Sequence, residues 1–350
     1  MSDQVPMAKP CQLVTDHARS SHLSGDIMGL GNGLELKYPA IEEMKEFVTT
    51  IPNASLLPGC RAFNGSICRD PQGRILFAYR LEKWNAMNEV AIARLNTDLD
   101  VLDNVRVQFP VPLPEAVGVH WEDPRLAVVA GELLLIVAWV KFGTPSICRQ
   151  RLFRLDPDSL QPLDEFSLPY GRAAEGHPEK NWMPFENEVG GLGLVYAQRP
   201  WQVIEHPTSK GYRTEGLNFW PHGKFLSGRT PPIAIDSVRN LAFFGGHVKH
   251  AYRGARYFFG ALTFSRRAPY VILQATSEPL GWGSECSPTF LSSRPASGHP
   301  CCIYPAGTVL TGDSLLVSCG VNDSYNVILQ YSLRDLLGRM SHVTLEGKQA

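Results

Sequence analysis

The chain has 350 residues, 44% of them hydrophobic and 19% charged, enough to bury a sizeable core; its formal net charge of −1 offers no global field for nucleic acid or anionic lipid. Its 27 prolines and 31 glycines suit many short strands joined by turns rather than long helices. Eight cysteines without a single CxxC pair argue against both a disulfide framework and a zinc site, and no metal is expected.

The first residues lack the apolar core of a signal peptide, and no run approaches the ~20 apolar residues of a membrane span. The expectation is a cytoplasmic protein with no membrane partner. Within residues 1–57 the stretch "YPAIEEMKEFVTTI" (38–51) has the pattern of a short amphipathic helix that packs beneath whatever follows.

Five apolar runs come next: "GRILFAYR" from Gly73, "GELLLIVAWV" from Gly131, "GLGLVYAQR" from Gly191, "NLAFFGGHV" from Asn240 and "GDSLLVSCGV" from Gly312. Each opens on a turn former and reads as a buried strand. Most lead into a second strand candidate, such as "NEVAIARLN", "CRQRLFRLD", "RYFFGALTF" or "YNVILQYSL". Their starts are 58, 60, 49 and 72 residues apart, close to one four-stranded sheet per unit. Strand repeats of this length predict an all-β fold, a five-bladed β-propeller over residues 58–340. Residues 1–57 would be a helical or irregular extension and 341–350 a tail. "SLRDLLGRMSHV" reads as a last strand or a short helix, and a two-domain β-sandwich is the competing architecture.

Eight to eleven residues before each apolar run lies a polar or aromatic stretch: "AFNGSI" (62–67), "HWEDPRL" (120–126), "EKNWMPF" (179–185), "LSGRTPPI" (226–233) and "CIYPAG" (302–307). In a propeller these begin the innermost strands, so they would converge on one central pocket. Glu122 and Asp123 are adjacent, and in a regular strand only one of them would face that pocket. Arg80, Arg125, Lys180, Arg199 and Arg229 are its candidate cations. A carboxyl group among cations stays ionised unless desolvation or a negative neighbour, such as bound phosphate, favours the acid. The competing reading pairs these charges within blade contacts. His247 and His250 fall in what reads as a loop with no third metal ligand. Trp121, Trp182, Trp201, Trp220 and Trp282 suit either sugar stacking or core packing. No GxSxG, Walker or Rossmann motif is present.

The ordered series "FNGSI … YR", "EDPRL", "EKNWMPF", "QRPW", "GRTPP … FFGGH", "YPAG" and "GVND" resembles the five-bladed propeller mannoside phosphorylases (glycoside hydrolase family 130) and related β-mannosyltransferases, over about residues 58–332. The resemblance implies Asp123 as general acid, with Asn64, Ser66 and Arg80 holding the reacting sugar and Asp323 bonding sugar hydroxyls. Arg199 and His247, joined by Lys180, would contact phosphate. Arg125, Trp182 and Tyr304, from the same ring of motifs, complete the sugar-binding set. Asn64-Gly65 stands where the family usually has Asn-Pro, "EKNW" replaces a more acidic lysine motif, and "GGH" replaces Tyr-His-Gly.

The implied reaction is inverting phosphorolysis or transfer of β-linked mannosyl units. It uses inorganic phosphate as co-substrate and no cofactor, on an oligosaccharide or sugar 1-phosphate partner. A homo-oligomer stays open. Two alternatives remain. An inverting hydrolase would need a second carboxylate, from Glu179, Glu186 or Asp323. A non-catalytic sugar- or protein-binding propeller would need none of these groups.

Overall fold

The structure, a computed structural model, describes residues 41, 44–82, 87–110, 118–143, 146–168, 179–214, 225–250, 254–282 and 302–343. Trp220, Cys11, Cys286, Cys301, most of the N-terminal extension and the tail beyond 343 lie outside the described residues, and His250 and Trp282 are described by backbone alone.

In chain order, β1 (Phe47–Ile51) precedes a first sheet of β2 (Arg61–Arg69), β3 (Ile75–Glu82), β4 (Glu89–Leu95) and β5 (Val101–Arg106). The second sheet contains β6 (Val119–Val129), β7 (Glu132–Lys141), β8 (Ile147–Leu155) and β9 (Pro162–Phe166). The third contains β10 (Met183–Glu186), β11 (Leu192–Gln198), β12 (Trp201–His206) and β13 (Gly211–Thr214). In the fourth, β14 (Phe225–Gly228) and β15 (Ile233–Ala234) pair with β16 (Arg239–His250), followed by β17 (Gly254–Ser265), β18 (Ile272–Thr276) and β19 (Gly281–Trp282). The fifth is β20 (Ile303–Thr311), β21 (Ser314–Val321) and β22 (Tyr325–Ser332). A short helix α1 (Leu333–Gly338) and β23 (Met340–His342) complete the described chain. The five antiparallel sheets are the blades of a β-propeller.

The continuous apolar runs follow from this architecture. A second strand is flanked by a neighbouring blade on each face, so both of its parities must be apolar. On β7, Leu133, Leu135 and Val137 pack with Leu76, Ala78 and Ile92 of the first blade. Leu134 and Ile136, of opposite parity, pack with Trp182, Leu192 and Leu194 of the third. β16 repeats the arrangement: Leu241 and Phe243 meet Leu315 and Val317 of the fifth blade, while Ala242 and Phe244 meet Met183 and Phe185 of the third. Each large apolar side chain buried this way contributes about 1.5–3 kcal/mol.

Both described ends of the chain add edge strands, and here one expectation is corrected. The second half of "YPAIEEMKEFVTTI" is a strand, not a helix. β1 pairs antiparallel with β22, Thr50 opposite Val327, and supplies the fourth strand of the fifth blade. Four β-branched residues, Val48, Thr49, Thr50 and Ile51, favour the pleated edge, and Glu46 adds its carbonyl to Gln330 N–H at 2.6 Å. At the other end, "SLRDLLGRMSHV" is both helix and strand. Ser332 caps α1 by accepting the Asp335 N–H, and β23 then pairs with β18 at the rim of the fourth blade. The "GGHVKH" stretch, read as a loop, lies within β16. Among the described residues no helix is long and apolar enough to cross a membrane.

Candidate active site

The antiparallel registers place the starts of β2, β6, β10, β14 and β20 at the same end as the finishes of β3, β7, β11, β16 and β21. Arg80 lies opposite Phe63, His247 opposite Phe225, and Tyr304 opposite Gly320. Side chains from all five blades meet at this end.

Local backbone chemistry aims them. Asn64, Asp123, Asn181 and Asp323 have φ of 52°, 50°, 67° and 48°, a left-handed conformation that Asn and Asp tolerate better than other side chains. In β2 and β6 the register shifts at these residues, between Phe63 and Ser66 and between Glu122 and Arg125. Such bulges re-aim side chains. The consequence corrects the expected alternation: Glu122 and Asp123 both turn toward Arg80. Arg80 Nη2 donates to Glu122 Oε1 at 3.0 Å, and its Nη1 is 4.0 Å from Asp123 Oδ1.

Asn64 Nδ2 bridges two carboxylates, donating to Asp123 Oδ1 at 3.1 Å and to Asp323 Oδ1 at 3.4 Å. Glu122, 5% exposed, also accepts from Asn88 Nδ2 at 3.2 Å and from Lys180 Nζ at 2.9 Å. Burial alone would push its carboxyl up, but Arg80 and Lys180 hold it down to about 2. Burial opposes the Lys180 ammonium, yet Glu122 and Asp123 together raise it above the ordinary lysine value. His120, on the same strand, is pushed down by burial and by Arg80 against the pull of Glu122.

A second cluster lies beside the first. Arg125 donates through Nη2 to Asn181 Oδ1 at 2.8 Å and to the Tyr304 hydroxyl, and through Nε to the Arg229 carbonyl. Tyr304 donates to the same Asn181 oxygen at 2.6 Å. Burial pushes the Tyr304 hydroxyl up, against Arg125, and Asp123 adds to the rise.

The structure thus unites Asn64, Arg80, Asp123, Lys180 and Asp323, with Glu122 as their hub, and joins Arg125 to Tyr304. Arg199 is exposed in the β11–β12 turn at the same end. The His247 ring lies 5.2 Å from that of Tyr257. Two expected sugar contacts lie elsewhere. Ser66 is fully buried, and its hydroxyl accepts the Leu126 N–H at 3.1 Å, tying β2 to β6. Trp182 is 2% exposed, packed against Tyr196 with its indole N–H donated to Glu179 at 3.2 Å. Its ring belongs to the core. Trp201 is buried likewise, and Trp121 stacks on Phe109 at 3.9 Å. Burial pushes the Cys68 and Cys148 thiols up to about 12, which removes them as nucleophiles. A cavity of about 680 Å³ lined by Trp139, Lys141, Arg149 and Phe166 is formed by β7, β8 and β9, away from the inner strands.

Asn181 and Asn88 were not among the predicted site residues. Asn181 carried a signal nonetheless: Asn or Asp recurs at the left-handed position in "FNG", "EDP" and "KNW".

No protein-family model matches the chain, and no curated protein matches it. Solved structures do. A β-1,2-mannobiose phosphorylase from Listeria innocua, in complex with β-1,2-mannobiose, superposes with a TM-score of 0.58 at 14% identity, covering 81% of this chain and 93% of that one. The mannose phosphorylase MPT-4 from Leishmania mexicana, in complex with phosphate, gives 0.54 at 12% identity over 85% and 92%. A glycosyl hydrolase from Bacteroides ovatus gives 0.56 at 13% identity over 79% and 85%. At these identities the likeness is one of fold: the chain has the five-bladed propeller architecture of the mannoside phosphorylases and of a glycosyl hydrolase.

Proposed function

We propose that the chain is a carbohydrate-active enzyme that cleaves or forms a β-mannosidic or related bond with inversion, by phosphorolysis or the reverse transfer. One observation carries the reading: Asp123 is held at the propeller axis on a left-handed bulge, between the Asn64 amide and the Arg80 guanidinium, with 14% of its side chain open. The fold shared with mannoside phosphorylases supports it.

In this reading Asp123 protonates the leaving sugar's oxygen, directly or through a sugar hydroxyl. Phosphate attacks the anomeric carbon from the opposite face, so the C–O bond breaks as the C–O–P bond forms. For a β-mannoside, inversion yields α-mannose 1-phosphate. The negative charge of a bound phosphate favours the neutral form of a carboxyl group beside it. Arg199 and His247 are the proposed phosphate contacts. Lys180 is committed to Glu122, so it orients rather than clamps. Asn64, Arg80 and Asp323 meet the sugar.

Water as nucleophile fits less well. An inverting hydrolase separates its two carboxyl groups by roughly 6.5–9.5 Å to lodge a water. Asp123 and Asp323 oxygens that one nitrogen reaches at 3.1 and 3.4 Å cannot lie beyond the near end of that range. Glu179 is buried and accepts from Trp182 and Tyr196. Glu186 accepts from Ala130 N–H at the opposite end of its strand.

The test is phosphate release from α-mannose 1-phosphate with mannose and glucosamine acceptors, for wild type and Asp123→Asn. Release by wild type alone supports the reading. Release by both removes Asp123 from the chemistry, and silence from both removes phosphorolysis.

A further inference from the structure

The second blade ends unevenly on its outer side. β7 pairs with β8 as far as Lys141 opposite Ile147, but β9 pairs with β8 only between Leu155 and Leu152. Residues 147–151 of β8 therefore run on past the end of β9. The cavity of about 680 Å³ lies where β9 stops, and Ile147, Arg149, Gln150 and Arg151 all line it. Its size falls within the range of small-molecule sites, about 300–1,000 Å³. Arg149 and Gln150 are neighbours in a strand, so their side chains point to opposite faces. Both line the cavity, which thus wraps the outer edge of β8.

The walls offer many hydrogen-bond donors and few acceptors. Arg149 is exposed and stands opposite Trp139, which is half-buried. Among the described residues neither Arg149 nor Lys141 has an ion-pair partner. Arg151 has one: its Nε donates to Glu165 Oε1 at 2.6 Å and its Nη2 to Glu165 Oε2, which occupies the carboxylate on this wall. Gln150 is 8% exposed, and neither its amide nitrogen nor its amide oxygen has a hydrogen-bond partner. The Trp139 indole N–H is buried in the same condition. Three cations against one carboxylate make the wall positive, in a chain whose formal net charge is −1.

We propose that this cavity is an accessory site for a saccharide that carries a carboxylate, separate from the Asp123 cluster. Arg149 and Lys141 take the carboxylate, Arg149 through its planar fork. The Gln150 amide is donor and acceptor at once and matches sugar hydroxyls, which are both as well. The rings of Trp139 and Phe166, half-buried in the wall, suit the apolar face of a pyranose. An acidic peptide added along the strand edge is the weaker fit, because that edge is already engaged: the Cys148 carbonyl accepts the Glu179 N–H at 3.0 Å. The inference rests on this cavity alone and is independent of which reaction the chain performs.

The experiment is calorimetric titration of the full chain with digalacturonate, with its neutral counterpart galactobiose, with tetraglutamate, and with acetate as the control for charge alone, at one ionic strength. Wild type should bind digalacturonate saturably and at least about tenfold more tightly than galactobiose, the worth of a charge-assisted hydrogen bond. Arg149→Ala should weaken that binding about tenfold, and Gln150→Leu about threefold or more. Without ligand, Gln150→Leu should melt no lower than wild type, since it removes a buried amide that has no partner. Asp123→Asn should bind digalacturonate as wild type does.

No saturable binding of digalacturonate would overturn the proposal, as would equal binding of galactobiose or of acetate. Preference for tetraglutamate would make the cavity a peptide site and overturn it too. Undiminished binding by Arg149→Ala, an exposed position whose substitution spares the fold, would place the ligand elsewhere. Loss of binding in Asp123→Asn would place it at the propeller axis. None of these readouts involves turnover, so failure here and absence of phosphorolysis are separate results.

Discussion

Lys180 Nζ lies 2.9 Å from Glu122 Oε2, joining the third blade to the neighbouring second. The same carboxylate holds Arg80 of the first blade at 3.0 Å. Glu122 therefore fixes two cations around Asp123, and removing it takes the nearest counter-charge from both, leaving Arg80 only Asp123 at 4.0 Å.

Glu122→Gln should destabilise the fold. Breaking a buried ion pair costs about 3–5 kcal/mol. The Lys180 side chain is 32% exposed, so water recovers part of this and the lower end is expected. Urea unfolding measures it, and a loss below about 1 kcal/mol would mean that the hub adds little.

The pH dependence has a defined sign. Glu122 is held at about 2 when folded against an ordinary 4.5, so between these values the unfolded chain binds more protons than the native one. Its stabilisation is complete above about 4.5 and disappears as pH falls through about 2, a total of about 3 kcal/mol. Wild type should lose stability over this window more steeply than Glu122→Gln. Parallel curves would contradict the assignment.

Asp123→Asn should fold within about 1 kcal/mol of wild type, since Asn also tolerates a φ of 50°. If Asp123 is the acid, turnover should fall by about 10²–10⁴. Equilibrium unfolding beside a rate assay separates the outcomes: a variant that unfolds marks Asp123 as structural.

Gly65→Ala should be severely destabilising. A Cβ there would lie 1.9 Å from Phe77 Cζ, and Phe77 is fully buried. Overpacking costs typically about 1–3 kcal/mol, more when nothing can yield. The double variant with Phe77→Leu should recover part of the melting temperature. Independent, additive losses would show that the two residues do not meet.

Trp182→Ala should act through stability, with a loss of about 3–5 kcal/mol for a buried aromatic. Under conditions where the variant remains folded, any KM for sugar should stay near that of wild type. A raised KM with undiminished stability would return Trp182 to the binding site.

The sequence made the blades legible because a strand between two blades must be apolar on both parities, which "GELLLIVAWV" is. The converging motifs also pointed to one end of the disc, since each precedes its apolar run by a similar distance. What was lost depended on single backbone departures. The bulge at Asp123 reverses a side-chain direction that strict alternation assigns. "KEFVTTI" satisfies a helical apolar spacing as well as a strand, and only the open edge of β22, far away in the chain, decides between them. Trp182 has the same composition signal in a core as in a sugar platform.

β1 pairs with a strand nearly the full length of the propeller away, Ile51 opposite Asn326. During synthesis the ribosome releases β1 before any of the other blade strands, so the nascent chain carries an unmatched edge strand until the fifth blade emerges. Ring closure is thus a late, long-range event, of the kind that slows folding and exposes intermediates to aggregation. A bulky fusion placed close before Phe47 would act on that step, lowering the yield of folded protein without touching a single residue of the site.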